Sequence, residues 1–366
     1  MSLAAEKLFM KSFRELIAEY LDDHAEEMKG IADADIDRWL AENTDEMVDK
    51  FSAQLAEDLN SKQREFVEGI YSDLAGFHKR LFKTWRAPLT RLDSLIAMCM
   101  EIGSEINAEY ISSKKYPPST RRNITIKLHT RAVQIANEVS CLLKGGFADG
   151  AMARWRSLHE TTVVLAFLGR HDDALSSRFV DFQAITRLKA ATEYNEHHSA
   201  LGFESFDQST LAQFQKDRDA MLEKYGQQFT SENGWAADVL KQKRVTFKDI
   251  ENFVDMSYLR PQYGFASKNV HSGVDSIGFK LALSMSSQET LLAGPSNEGL
   301  IEPIQCTSFS LIMATCELID MAAHDERSIM EGVLWRWHER IKAELIEAEA
   351  ALRQLGGNIN HHGHPE

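Results

Sequence analysis

From Val48 to Trp85 apolar residues recur three or four positions apart: Val48, Phe51, Leu55, Leu59, Phe66, Ile70, Leu74, Phe77, Leu81 and Trp85. A helix brings a side chain back to the same face about every 3.6 residues, so this spacing predicts one long helix over 44–86. Pro88 has no backbone N–H and is expected to kink or end it. A second run, Leu92, Leu95, Ile96, Cys99, Ile102 and Ile106, predicts another helix as far as the segment KKYPPST, whose adjacent prolines mark the expected domain boundary.

Beyond that loop, Ser119 or Thr120 can cap a helix running to Lys144, where Gly145 and Gly146 suit a C-terminus. The next helix, 148–168, turns apolar on nearly every side after Thr162 and should be buried. Further helices are expected at 172–198, 209–225, 232–243 and 246–257, the last opened by Thr246 with Asp249 three residues on. Another starts at Pro303 and passes Asp320. The final one carries Leu334, Trp337, Ile341, Leu345, Ala348, Leu352 and Leu355, a seam like that of a coiled coil. It needs a partner: the long 44–86 helix is the expected one, a second copy of the chain the alternative. No alternation of period two is long enough to make a sheet. The predicted class is therefore all-α, a multi-helix bundle core (119–326) with a long N-terminal helical arm (1–118) and a C-terminal coiled-coil-like helix ending in a mobile tail (327–366).

Composition agrees with helices: only 7 prolines and 20 glycines interrupt 366 residues. Charge adds a polarity. The formal net charge is −14, and residues 1–60 hold sixteen acids against six bases. That balance excludes a general attraction to nucleic acid, which needs clustered cations. Two local exceptions stand out. Lys114, Lys115, Arg121, Arg122, Lys127 and Arg131 occur with no acid among them, and KQKRVTFK at 241–248 adds four cations. The Lys114–Arg131 strip is the candidate contact for RNA, with solvated helix ends as the plainer reading. Four cysteines without close pairing suit a reducing cytoplasm. The N-terminus lacks the pattern of a signal peptide, and no membrane segment is expected. Phosphate-loop, nucleophile-elbow and His-Glu-x-x-His motifs are missing, so no metal or cofactor is expected.

Chemistry concentrates in two polar islands. In MARWRSLHE (152–160), Arg156 and Glu160 lie about 40° apart on one helix face, whereas Arg154 and His159 diverge by roughly 140°. An arginine entering a buried helix is costly unless paired, and Glu160 is its local partner. In RPQYGFASKNVHSG (260–273), Tyr263, Ser267 and His271 are spaced by four as one polar stripe, with Arg260 a turn earlier and Asn269 on another side. Two helices meeting through Arg156, Glu160, Tyr263, Ser267 and His271 would explain both islands.

The run Arg156-Ser157-Leu158-His159-Glu160, followed by Tyr263, Ser267 and Val270-His271-Ser272, resembles an uncharacterised bacterial helical family that is distantly similar to HEPN proteins. These are helical dimers that include toxin and phage-defence ribonucleases. The resemblance spans roughly residues 120–325. It implies a bacterial defence or stress protein, dimeric, cleaving or binding RNA without a metal. His271 would then transfer a proton to or from the ribose, and Arg156 would stabilise charge developing on phosphorus, held in place by Glu160. Tyr263, Ser267 and Asn269 would orient the phosphate. Arg154 and His159, which match the family's Arg-to-His spacing, complete the substrate-contacting set. The alternative is a non-catalytic interaction protein in which the islands are a satisfied internal network, and a partner or second copy docks through the terminal helices.

Overall fold

A computed structural model describes residues 8–23, 33–112, 117–271, 274–285, 291–322 and 326–357. Helices α1 (Leu8–Asp23), α2 (Asp33–Ser112), α3 (Thr120–Lys144), α4 (Ala148–Gly169), α5 (Asp173–Asp181), α6 (Gln183–His197) and α7 (Gln208–Tyr225) are followed by α8 (Ala237–Leu240), α9 (Phe247–Phe253), α10 (Arg260–Val270), α11 (Asp275–Gly278), α12 (Ile301–Ala322) and α13 (Arg327–Gly357). No strand occurs among the described residues. The fold is all-α.

The chain divides into two compact units, Met1–Lys83 and Thr84–Glu366. In the first, α1 lies on the early part of α2. Leu16 and Leu55 are buried there, the Tyr20 ring meets Phe51 edge-on at 4.7 Å, and Lys62 donates to Asp58 at 2.8 Å. Phe9 and Phe13 stack on the outer side of α1 and stay exposed.

The second unit is built around α4, which packs on α3, α12 and α10. Its buried residues include Met152, Trp155, Leu158, Leu165 and Phe167, so the all-round apolar pattern does mark a central helix. Two polar side chains that α4 buries are satisfied by α12. The Trp155 indole donates to the Cys306 carbonyl and the Ser310 hydroxyl, and Thr162 donates to the Ser310 carbonyl. Beside this layer, Phe167, Phe229, Trp235, Ile250 and Met256 form an aromatic-rich cluster under the loops that follow α7. Burial pushes the thiols of Cys99, Cys306 and Cys316 up to about 12, while Cys141 is exposed.

The caps follow the sequence. Ser119 accepts from the Arg122 amide, Gly146 takes φ +79° after α3, and Thr246 and Asp249 complete a reciprocal capping box. Three expectations change. Pro88 does not end its helix, because α2 continues to Ser112. The 172–198 helix is two, broken at Phe182, whose ring packs edge-on against Phe229. The expected 232–243 helix shrinks to a short turn and α8, because Gly234 sits against the Phe229 backbone with no room for a side chain and Lys241 turns left-handed.

The C-terminal seam is filled within the chain: Leu334, Ile341, Leu345, Ala348 and Leu352 are buried. Trp337 donates to the Arg91 carbonyl, and Arg91 pairs with Glu344 at 2.6 Å. Arg91, an α2 residue that α13 holds, lies beyond the expected 44–86 stretch. The histidine-bearing tail lies outside the described residues, as do Lys114, Lys115 and Ser272.

Candidate functional site

Each island sits on a helix that its own sequence sets up. The first falls where α4 passes from half-buried to buried, and the second is α10, opened by Pro261 in its first turn, where a missing N–H costs nothing. The islands touch. The Tyr263 hydroxyl donates to Glu160 Oε1 at 2.6 Å, and Arg156 Nε donates to the same oxygen at 3.1 Å. The Arg156 guanidinium lies 4.8 Å from the centre of the Tyr263 ring.

A second acid extends the cluster. Glu251 on α9 is fully buried and accepts from His159 Nε2 at 2.8 Å and from Arg260. A carboxylate only accepts, so His159 Nε2 carries the hydrogen, while Nδ1 is buried without a hydrogen-bond partner. The Tyr263 ring joins both halves: Arg260 lies 5.0 Å from its centre, Phe247 stacks on it at 5.4 Å, and the His159 ring is 5.8 Å away.

Electrostatics follow from that crowding. Burial, and then the carboxylate of Glu160, push the Tyr263 phenol up to about 12. Arg156 is held above its ordinary value: burial opposes its charge, but Tyr263 and Glu160 outweigh that penalty.

The remaining sequence candidates fall elsewhere. Arg154 pairs with Glu138 on α3, on the far side of α4 from the cluster, as the helical angle requires. Ser267 bonds the Tyr263 carbonyl within its own helix. Asn269 lines a separate cleft of about 360 Å³ with Phe147, Asp149 and Lys280. The His271 backbone leaves the helix in an extended conformation, so the four-residue stripe stops at Ser267. His271 is exposed and lies about 12 Å along the axis beyond Tyr263.

Sequence reasoning missed Glu251 and Phe247. A signal for Glu251 was present: Ile250 and Val254 mark the core face of α9, and an acid roughly 60° from Val254 has to enter the core with them. Nothing in the spacing pointed to His159 and Arg260 as its partners.

Residues 122–289 match a family of unknown function, DUF5677. The matched stretch contains α4, α9 and α10, and hence every member of the cluster. No curated protein and no solved structure matches the chain. No helix among the described residues is long and apolar enough to cross a membrane.

Proposed function

We propose that this chain is a non-catalytic helical interaction protein, in which the two polar islands serve as an internal clamp fixing α9 and α10 against α4. One observation carries the reading: the cluster uses up its own acids. Glu160 accepts from Arg156 and Tyr263, and Glu251 accepts from His159 and Arg260. Proton transfer in a nuclease needs a base within hydrogen-bond reach of the substrate proton while a cation meets the phosphate. His271 lies two helical turns from Arg156's partner Tyr263. The exposed Phe9, Met10 and Phe13 on α1 give a partner, or a second copy, an apolar surface on the arm.

The test is RNA cleavage by the purified chain in excess EDTA, beside His271→Ala and Arg156→Ala, with helical content and melting measured for each. The clamp predicts no cleavage by any of the three, a lower melting temperature for Arg156→Ala, and an unchanged one for His271→Ala. Cleavage lost in both folded variants would overturn it.

A second reading has one observation in its favour. The Arg156 and Arg260 side chains, 24% and 38% exposed, converge on a single tyrosine ring. A phosphate could be met by this pair, and the protein would then be a HEPN-like, metal-independent RNA-cleaving or RNA-binding dimer of the bacterial cytoplasm, acting in defence or stress. His271 would act as its acid-base group. The same experiment separates the two readings.

A further inference from the structure

Away from both islands, a groove of about 790 Å³ opens between the turn after α7 and the segment that follows α8. Its lining is unlike the rest of this acidic chain. Lys241, Lys243 and Arg244 are all exposed, and Gln227 and Gln242 add side-chain amides. One acid is present, Asp238, and it is already neutralised from below by the buried Arg178. No ion pair involves Lys241, Lys243 or Arg244 among the described residues. Lys241 closes α8 at φ 54°, in the left-handed region where glycine or asparagine is the ordinary occupant.

We infer that this groove binds closely spaced phosphates, with Lys241, Lys243 and Arg244 neutralising them and the glutamine amides contacting the groups they are attached to. A single carboxylate would leave two of the three cations unanswered, whereas consecutive phosphates match their number. Such phosphates come from a single-stranded nucleic acid or from a small polyphosphate. The inference uses no residue of the clamp and does not depend on it.

The experiment measures binding of a short fluorescent single-stranded RNA to the full chain, then its displacement by inorganic tripolyphosphate. Both are repeated on a Lys241→Gln, Lys243→Gln, Arg244→Gln triple variant. All three side chains are exposed, so the variant should melt like the parent. Three phosphate contacts on a single strand predict a slope of log affinity against log salt of about −2, and roughly a tenfold or greater loss of affinity in the variant. Displacement by tripolyphosphate assigns the groove to a small ligand, and resistance to it assigns the groove to a strand; both agree with the inference. It is overturned if neither probe binds, if the variant binds as the parent does, or if polyglutamate of equal charge displaces the RNA as well as tripolyphosphate.

Discussion

Tyr263 and Glu160, 103 positions apart in sequence, share a 2.6 Å hydrogen bond that ties α10 to α4. Both residues remain partly open to solvent, so water competes for the carboxylate. The bond is accordingly expected to contribute about 1 kcal/mol. Tyr263→Phe should lower stability by that amount in urea unfolding. A double-mutant cycle with Glu160→Gln should show coupling rather than additivity. The phenol at about 12, above its ordinary value near 10, adds a pH signature. Its stabilising effect is complete below about pH 10 and fades as pH climbs towards 12, and Tyr263→Phe should flatten that alkaline limb.

Glu251→Ala should be more damaging. The carboxylate is wholly buried and is the shared acceptor of His159 and Arg260. Removing it leaves the buried His159 N–H without its acceptor, while Arg260 keeps solvent and the Tyr263 ring, and a loss of about 1–3 kcal/mol is expected. Thermal unfolding would show it; a shift smaller than that of Tyr263→Phe would contradict the clamp.

His129 gives an acid-side prediction. It is buried against Thr315, 3.0 Å away, and burial holds its imidazole down to about 4 from 6.5. The unfolded chain takes up this proton as pH falls through 6.5, whereas the folded chain does so only near 4. Stability present above pH 6.5 is therefore lost between those values, by up to roughly 3 kcal/mol. His129→Gln should be less sensitive to pH across this window in denaturant titrations.

Gly103 should tolerate no side chain. A Cβ there would come within 2.6 Å of the His129 ring, which is anchored by its bond to Thr315 and cannot swing aside freely. Gly103→Ala is expected to cost about 1–3 kcal/mol despite alanine's better helix propensity. Gly76→Ala, whose nearest neighbour is a flexible arginine tip, should be neutral or mildly stabilising by the same assay.

Much of this was legible in the sequence, and its boundary has physical causes. Helix type, the buried character of α4 and the caps at Ser119 and Thr246 follow from local periodicity and hydrogen-bonding chemistry, which act over a few residues. The Arg156–Glu160 pair is also local, and Tyr263 carries the face that meets it. What escaped was decided at long range. Phe182, where the helix breaks, packs its ring edge-on against Phe229, 47 positions later. Glu251 matters because His159 lies opposite it. His271 was placed by extending a stripe past the point where the backbone leaves the helix, an error that periodicity cannot reveal because it presumes the helix continues.

The cysteines give this fold a built-in timer. Cys141 stands at the surface of α3, whereas Cys99 and Cys306 are sealed in α2 and α12 with their thiolates suppressed. An alkylating reagent should mark the first at once and reach the other two only when their helices come apart. The order and rate of labelling would then report, helix by helix, how often the core breathes.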